Sequence, residues 1–545
     1  MTAAQWNKFI SINILIGYAI VIVALPLSNF FMSLGSFWLV GAWLLSVITD
    51  LARKQSLKPR IQRFTSLKPA VLLTALYALP VIGLLWTNDF KFAQWDLRMK
   101  LPILFMPFLL TTLRPLTARE FRGLLGIFLL SLSFAAIWCL LIYWHVNPKP
   151  YKDVREISVF ISHIRFSLLL VLGLCIAYYE AWRQSMGKVF CIALSICFIY
   201  FLYVIGSMTG YLVLSAIIMW SLVRKIIRTK TKTRRFTMIA LLIAFPLGAI
   251  FYVRSCYKEY FTVPETEWAQ LETTSARGEA YEHTPQFRQV ENGHYVMTHI
   301  AWSELYAAWA ERSNIYPDSL DGRGHILKGT LIRYAASKGL KKDYDGIMQL
   351  SDADVRAIEQ GITSVHDGEK SGMRRRLDNI FFELANYRAG GNPSGHSVFQ
   401  RFEFWRAALA IISDQPWMGV GTGDVKNEFA DEYEKMKSPL DLEHRLRAHN
   451  QYLTMWLTYG IFGLLFFLVV IVAPLARYRR NVIFVAFTII AAMSFFTEDT
   501  LESQAGIMFF SFFYIFLLNN SKYLEHKERS LPGHHNLRYV FRRNS

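Results

Sequence analysis

The sequence has few residues of the kinds that build redox or metal centres. Only five cysteines occur among 545 residues, and none forms a C-x-x-C pair or another zinc-like spacing. Four lie inside apolar stretches and Cys256 lies just past one, so we expect them to pack in a membrane core without disulfides. Paired carboxylates of the D-x-D kind are scarce, and Asp352 with Asp354 has that spacing but follows Ser351 as a helix start would. The sequence therefore predicts no metal site and no cofactor.

Long hydrophobic runs dominate the chain instead. Hydrophobic residues make up 53% of the sequence and aromatic residues 15%, which is too apolar for one soluble domain of this length. We predict an all-α polytopic membrane protein with about twelve transmembrane helices. These lie near 8–26, 30–49, 70–86, 101–113, 123–145, 162–182, 189–206, 211–223, 237–253, 452–475, 481–496 and 506–519. The first run continues past Pro26 into a second span, so we expect no cleaved signal peptide.

The placement of basic residues predicts the orientation of these helices. The net charge is +18, but most of it lies in short loops between apolar runs, which argues against a nucleic-acid partner. Alternate loops are rich in lysine and arginine, as in 53–68, 114–122, 224–235 and 477–480, whereas the opposite short loops carry few such residues. The positive-inside rule then assigns both termini to the cytoplasm and 254–451 to the periplasm. The lipid bilayer is therefore an expected partner.

The polar segments divide the chain into five predicted regions. They are an N-terminal membrane domain of about nine spans at 1–253, a mainly helical periplasmic insert at 254–398, a periplasmic loop region at 399–451 that carries the candidate chemistry, C-terminal spans at 452–519 and a basic cytoplasmic tail at 520–545. Apolar spacing in the insert predicts helices over 294–313, from 330 to near Gly339, and over 373–388. A further helix begins at Ser351, with Asp354 as its acidic third residue. The stretch 388–397 is a Gly/Pro/Ser linker.

Polar groups capable of chemistry run directly into a membrane span between 397 and 465. Arg401 and Trp405 lie one helical turn apart and share a face. Pro416 ends that helix, and a glycine loop follows. Two arginines, one histidine and an asparagine then precede the apolar run: Arg445, Arg447, His449 and Asn450.

This ordered set resembles the O-antigen ligase family of bacterial membrane glycosyltransferases, which also includes O-antigen polymerases and protein O-oligosaccharide ligases. The matching pieces are R-x-x-x-W at 401–405, P-x-x-G-V-G-T-G at 416–423, A-H-N-Q-Y-L at 448–453, and Gly460 and Gly463 in the following span. The segment 330–343 is similar to an insert of Bacteroidetes-type members. The resemblance implies a donor glycan on undecaprenyl pyrophosphate and an acceptor hydroxyl on a lipid A–core sugar. It also implies one inverting displacement on the periplasmic face of a bacterial inner membrane. The lack of a paired-carboxylate motif favours a metal-independent mechanism.

The resemblance and the chemistry of the side chains together predict the site. His449 is expected to activate the acceptor hydroxyl, because an imidazole titrates near neutral pH. Arg401 and Arg165 are expected to hold the pyrophosphate, which a guanidinium fork fits well. Many family members carry an arginine where this chain has Met208, so the role of that arginine passes to Arg165 or is lost. The predicted substrate-binding residues are Arg445, Arg447, Asn450, Gly419, Gly421, Gly423, Glu498 and Glu502, the glycines through their backbone amides.

Two alternatives stay open at this point. An O-antigen polymerase or a protein O-glycan ligase would use the same donor with another acceptor, such as a periplasmic glycan or protein. A transporter or flippase of polyprenyl-linked glycans would bind the same lipid without catalysis. A flippase should distribute its charges along a path through many spans, whereas the matched charges here cluster at one face, which favours an enzyme.

Overall fold

The computed structural model describes residues 2–147, 149, 151, 154–183, 187–263, 270–284, 286–367 and 372–524. The first half is a series of helices. They are α1 (Ala3–Leu27), α2 (Asn29–Ala52), α3 (Lys58–Ser66), α4 (Lys68–Leu76), α5 (Ala78–Ile82), α6 (Phe90–Thr112), α7 (Ala118–Tyr143), α8 (His163–Arg183), α9 (Lys188–Ile205), α10 (Met208–Arg228) and α11 (Lys232–Phe261). Of the predicted basic tail, only 520–524 falls within the described residues.

The remaining elements form the polar region and a final group of membrane helices. The polar region contains strands β1 (Val290–Glu291) and β2 (His294–Tyr295), then α12 (Trp302–Arg312), α13 (Leu327–Ser337), α14 (Tyr344–Met348), α15 (Asp352–Glu359), α16 (Gly372–Arg388), α17 (Phe399–Asp414) and α18 (Val425–Lys435). The chain ends with α19 (Gln451–Tyr478), α20 (Val482–Thr497), α21 (Gln504–Asn519) and α22 (Ser521–Leu524).

The predicted all-α polytopic fold is confirmed. Among the described residues, nine helical stretches are long and apolar enough to cross a membrane, and α20 and α21 are shorter apolar helices. Together with α6, these helices coincide with the twelve predicted positions. α6 begins well before the predicted 101–113, because Asp89 caps its first turn by accepting the amide hydrogen of Phe92 at 2.9 Å.

α21 occupies the centre of the membrane bundle. Every residue from Ala505 to Leu518 is buried, as expected of a helix that is apolar on all sides. It packs against α6, α20, α2 and α1, and aromatic contacts such as Phe487 with Phe510 join it to α20. The loop 498–503 between α20 and α21 is therefore held at the middle of one end of the bundle.

The insert has its own small apolar core and only two short strands among its described residues. Trp309 of α12 and Leu331 of α13 are buried together in that core. β1 and β2 pair antiparallel, with Val290 opposite Tyr295. The predicted capping box at Ser351 and Asp354 is present at the start of α15.

The prediction of one continuous helix over 294–313 was wrong for its first half. β2 occupies 294–295, and His299 has a left-handed φ of 51°. The backbone of Ile300 then bridges to Glu282, and the amide of Ala301 donates to Lys342 at 3.0 Å. Tertiary backbone pairing thus replaces helical hydrogen bonds until α12 begins at Trp302.

Candidate functional site

Glu498 is the point at which the predicted site residues meet. It follows α20 directly, and its Oε1 lies 2.8 Å from Nη2 of Arg401 on α17. Its Oε2 lies 3.2 Å from Nδ1 of His449, which precedes α19. One carboxylate therefore joins two side chains that are 48 positions apart in the sequence. We refer to Arg165, Arg401, His449 and Glu498 as the Glu498 cluster.

Arg165 belongs to this cluster through its charge. It is the third residue of α8 and is half-buried. Its positive charge acts on Glu498, although within the described chain no hydrogen bond joins the two side chains. Arg165 thus lies close enough to contribute to the same electrostatic field while its guanidinium keeps donors unused by Glu498.

The cluster keeps Glu498 ionised. Burial raises the pKa of this carboxyl, but the hydrogen bond with His449 and the charges of His449, Arg401 and Arg165 outweigh burial and hold the pKa below its usual value. The side chains of Arg401 and Glu498 are 26% and 21% exposed, so the pair is only partly screened by solvent. Two permanently charged arginines therefore surround one carboxylate, which leaves one positive charge in excess for an anion.

The backbone around His449 is fixed by Asp499, which sequence reasoning did not select. The amides of His449 and Asn450 donate to Oδ2 and Oδ1 of Asp499 at 2.9 and 3.1 Å, and the Thr454 hydroxyl donates to Oδ1 at 2.6 Å. His449 itself has a left-handed φ of 46°, a conformation that non-glycine residues adopt at an energetic cost. Burial raises the pKa of Asp499, although Thr454 opposes this by hydrogen bonding. Its carboxylate thus holds the loop in the conformation that presents the imidazole.

α17 supplies the other contacts that orient His449. The ring of Phe404 stacks on the imidazole, with the ring centroids 5.5 Å apart and an angle of 27° between the ring planes. Nε1 of Trp405 donates to the carbonyl of Ala448 at 3.0 Å. Arg401 and Trp405 therefore share a face as predicted, and that face is the one that meets the histidine loop.

A second charged group lies beside the Glu498 cluster and centres on Glu502. Arg447 Nη1 and Lys100 Nζ approach its two oxygens at 3.1 and 3.0 Å, and Gln451 Nε2 donates to Oε1 at 3.3 Å. Burial raises the pKa of Glu502, but Lys100 and Arg447 bring it below its ordinary value. Lys100 also lies 2.8 Å from Asp96 on the same helix. In this second group the cations Lys100 and Arg447 balance the carboxylates Asp96 and Glu502. The Glu498 cluster has two arginines and one carboxylate.

Lys100 is a residue that sequence reasoning missed. It is 5% exposed and reaches from α6 to the loop between α20 and α21. The available signal was a pair of opposite charges four residues apart, Asp96 and Lys100, at the edge of an apolar run. Burial of such a pair costs desolvation free energy unless other charged groups also contact its members.

Two of the predicted substrate-binding residues have structural contacts instead. Arg445 pairs with Glu434 and donates from Nε to the carbonyl of Leu440 at 3.1 Å. Asn450 caps α19, since its side-chain oxygen accepts from the amides of Tyr452 and Leu453 at 3.0 and 3.3 Å. These contacts position the histidine loop and do not place either side chain in the Glu498 cluster.

The glycine loop packs against a break in α19. The helix leaves helical geometry at Gly460, where φ is 68° and ψ is −173°. The carbonyls of Leu457 and Thr458 then accept the amides of Val420 and Gly421 at 2.8 and 3.0 Å. A Cβ at Gly419 would lie 2.5 Å from the carbonyl carbon of Thr458. Glycine is required here because two backbones come together, and the loop satisfies the carbonyls that the break exposes.

The amides of the glycine loop therefore have protein acceptors. Gly419 donates to the carbonyl of Gln415 at 3.1 Å, and Gly423 donates to the Thr87 hydroxyl at 3.1 Å. Asp424, the next residue, accepts the amides of Asn88 and Asp89, both at 2.8 Å. The prediction that these glycine amides meet the substrate thus has no supporting contact, and the loop instead anchors the start of α6 to α19.

Comparison with known proteins finds a family model that matches part of this site. Residues 371–468 match the family model described as O-antigen ligase. This segment of the chain is therefore similar to the O-antigen ligase family. Arg401, Trp405, the glycine loop and His449 all fall in the matched segment, whereas Arg165 and Glu498 lie outside it. The match and the apolar helices together are consistent with a multi-pass membrane protein that resembles O-antigen ligases.

A similar protein occurs in Haemophilus influenzae and is described only as uncharacterized. It is 27% identical over 128 residues, which cover 23% of this chain and 32% of the relative. The match thus spans about a third of that relative's length, and the relative's printed description adds no activity.

The described residues contain no group of three or more histidine, cysteine, aspartate or glutamate side chains that could hold a metal ion. The carboxylates nearest the site are occupied by cations or backbone amides. Metal independence remains an expectation that requires an activity measurement.

Proposed function

We propose that the protein transfers a glycan from undecaprenyl pyrophosphate to a lipid A–core sugar hydroxyl on the periplasmic face of the inner membrane. The observation that carries this proposal is the convergence of Arg401, Arg165 and His449 on Glu498. The convergence lies at the ends of membrane helices, where a lipid-linked diphosphate would present its charged part.

The charge of the Glu498 cluster suits a pyrophosphate. Two arginines against one carboxylate leave an uncompensated positive charge in a partly buried place, which favours an anionic ligand. Arg401 uses Nη1 on the carbonyl of Ser397 at 2.7 Å and Nη2 on Glu498, while its buried Nε has no acceptor among the described residues. Negative charge grows on the leaving pyrophosphate as the C1–O bond breaks, and fixed guanidinium groups stabilise that charge.

His449 fits the role of the base. In its neutral form, with the Nδ1 hydrogen donated to Glu498, the ring leaves Nε2 free to accept the proton of the acceptor hydroxyl. The hydroxyl oxygen then forms its bond to the anomeric carbon while the bond to the pyrophosphate oxygen breaks. The proton stays on Nε2, the pyrophosphate leaves with its electron pair, and the anomeric configuration inverts.

The decisive experiment is gel analysis of lipopolysaccharide from a strain that lacks the gene. Loss of all ladder bands, restored by the wild-type gene, supports a ligase. A core that carries one repeat unit indicates a polymerase, which is the alternative that the family equally includes, and a normal ladder contradicts both. Underglycosylated periplasmic proteins with normal lipopolysaccharide would indicate a protein O-glycan ligase.

Complementation with variants separates an enzyme from a flippase or transporter. His449→Ala should fail to restore the ladder although the protein is present in the membrane. His325→Ala is the matched control, because His325 lies in the insert with its side chain 70% exposed. A purified protein in nanodiscs should also form the product from donor and acceptor, which a flippase cannot do.

The proposed topology has its own test. A cysteine introduced at position 370 should react with a membrane-impermeant maleimide once the outer membrane is permeabilised. Reaction only after lysis of the inner membrane would place 254–451 in the cytoplasm and contradict a periplasmic site.

A further inference from the structure

A second group of polar side chains lies where the 389–398 linker joins α16 to α17. Among the described residues, Oε2 of Glu383, Nδ1 of His396 and Oε1 of Gln400 are buried without a hydrogen-bond partner. Nε of Arg401 is a fourth such atom. We call these four residues the linker corner. Buried polar atoms in native proteins are nearly always paired, so four unpaired atoms at one place indicate a partner that is not part of this chain.

Hydrogen bonds through Ser397 hold two sides of the linker corner together. Arg401 Nη1 donates to the carbonyl of Ser397 at 2.7 Å, and Arg376 Nη2 donates to its hydroxyl. Nη1 of Arg376 lies 4.0 Å from Oε1 of Glu383. Ser397 therefore connects the α16 carboxylate, through Arg376, to the arginine of the Glu498 cluster.

Contacts between α16 and α17 fix the positions of the other linker-corner residues. Tyr387 lies one turn after Glu383 on the same face of α16, and its ring stacks on Phe399 with centroids 5.4 Å apart. The amide of Gln400 donates to the carbonyl of His396 at 3.0 Å. Glu383 is only 8% exposed, so its unpaired oxygen is not simply dissolved in bulk water.

The unpaired atoms indicate which hydrogen-bonding groups the partner carries. Burial raises the pKa of Glu383, but while this carboxyl is ionised its Oε2 only accepts hydrogen bonds, as does Oε1 of Gln400. A partner of both atoms must therefore donate. Phosphate oxygens do not donate, whereas hydroxyl groups both donate and accept. A cationic donor is disfavoured, because Arg376 and Arg401 already lie here. Burial, with Arg333 nearby, lowers the pKa of His396, so this imidazole is uncharged at neutral pH and its ring nitrogens can share hydrogen bonds with hydroxyls.

We propose that the linker corner binds the hydroxyl groups of a sugar residue next to Arg401. The inference rests on the proposed function, which brings two such sugars to Arg401: the acceptor glycan and the first sugar of the donor. The Glu498 cluster then holds the diphosphate by charge, while the linker corner holds a neutral sugar by hydrogen bonds.

Steady-state kinetics of the full chain in nanodiscs tests the proposal and separates the two sources. Gln400→Met keeps the length of the side chain and removes the acceptor, and Glu383→Gln removes the charge. Loss of one hydrogen bond should raise a Michaelis constant by about three- to tenfold with little change in kcat. An increase in the constant for the acceptor assigns the corner to the acceptor glycan, and an increase for the donor assigns it to the donor sugar. Gln360→Met, at an exposed position, is the matched control.

A binding measurement keeps this inference independent of the proposed activity. The probe is core oligosaccharide released from lipopolysaccharide by mild acid, titrated against the wild type, Gln400→Met, Glu383→Gln and His449→Ala. Weaker binding by the linker-corner variants, with binding retained by His449→Ala, supports the site even if no transfer is found. Unchanged Michaelis constants for both substrates in an active enzyme overturn the proposal, and so does the absence of both oligosaccharide binding and transfer in the wild type.

Discussion

Replacement of Arg401 by lysine tests the Glu498 cluster most directly. The guanidinium now makes two hydrogen bonds at once, to Glu498 at 2.8 Å and to the Ser397 carbonyl at 2.7 Å. A lysine ammonium is a point charge without the planar fork, and it cannot keep both contacts and also meet a phosphate oxygen. Loss of one charge-assisted hydrogen bond is worth about 1.5–3 kcal/mol, so the transfer rate should fall by roughly ten- to a hundredfold.

Arg406→Lys is the control for this experiment. Arg406 lies on the same helix, but its side chain is 59% exposed and pairs with Glu403 at 3.1 Å. Both variants are compared by initial rates of glycan transfer in nanodiscs and by thermal unfolding. Near wild-type transfer by Arg401→Lys would refute the idea that the fork matters. A loss of transfer as large in Arg406→Lys would show that any arginine on α17 is equally sensitive.

Three further predictions follow from the charged groups. Lys100→Met should destabilise the protein by about 3–5 kcal/mol, because it leaves Asp96 and Glu502 buried without their shared cation. The double variant Lys100→Met with Asp96→Asn should have a melting temperature between those of the single variant and the wild type. A single variant as stable as the wild type would contradict this prediction. Activity should survive EDTA, and a chelator-sensitive enzyme that Mg²⁺ restores would overturn the metal-independent mechanism. The pKa of Glu498 is lowered in the folded protein, so its contribution to stability is present above the unfolded pKa of about 4.3 and disappears as the pH falls through the folded value. The melting temperature of the wild type should therefore exceed that of Glu498→Gln at pH 6, and this difference should shrink between pH 5 and pH 3.

The sequence predicts the membrane helices well because their signal is local. In each apolar run of about twenty residues, the backbone N–H and C=O groups must form hydrogen bonds with one another because the bilayer core holds no water. A helix is therefore the only structure available to an isolated span. The insert was harder to predict. The apolar spacing of 294–301 is compatible with a helix, but pairing of Ile300 with Glu282 and of Ala301 with Lys342 replaced it, and contacts between residues so far apart leave no local pattern.

The candidate site divides in the same way between local and distant information. His449 and Arg401 could be selected because their neighbours match a family pattern, while Glu498 and Glu502 were selected only as acidic residues of a short loop. Lys100 was missed, and Asp499 of the same acidic loop was not selected, since their importance depends on α21 passing through the centre of the bundle. That helix carries the 498–503 loop to a place where α6, α17 and the start of α19 meet it.

The arrangement explains why acidic residues stand at the centre of a site proposed to bind an anion. Without Glu498, the positive charges of Arg165 and Arg401 would repel one another and the imidazole would lack a partner for Nδ1. Glu502 and Asp499 do the same for Arg447 and for the His449 backbone. The carboxylates thus keep the cations assembled before the substrate arrives, so that little reorganisation is needed when negative charge develops on the leaving group. Within the Glu498 cluster two arginines accompany one carboxylate, which favours an anion on the side of the site that faces His449.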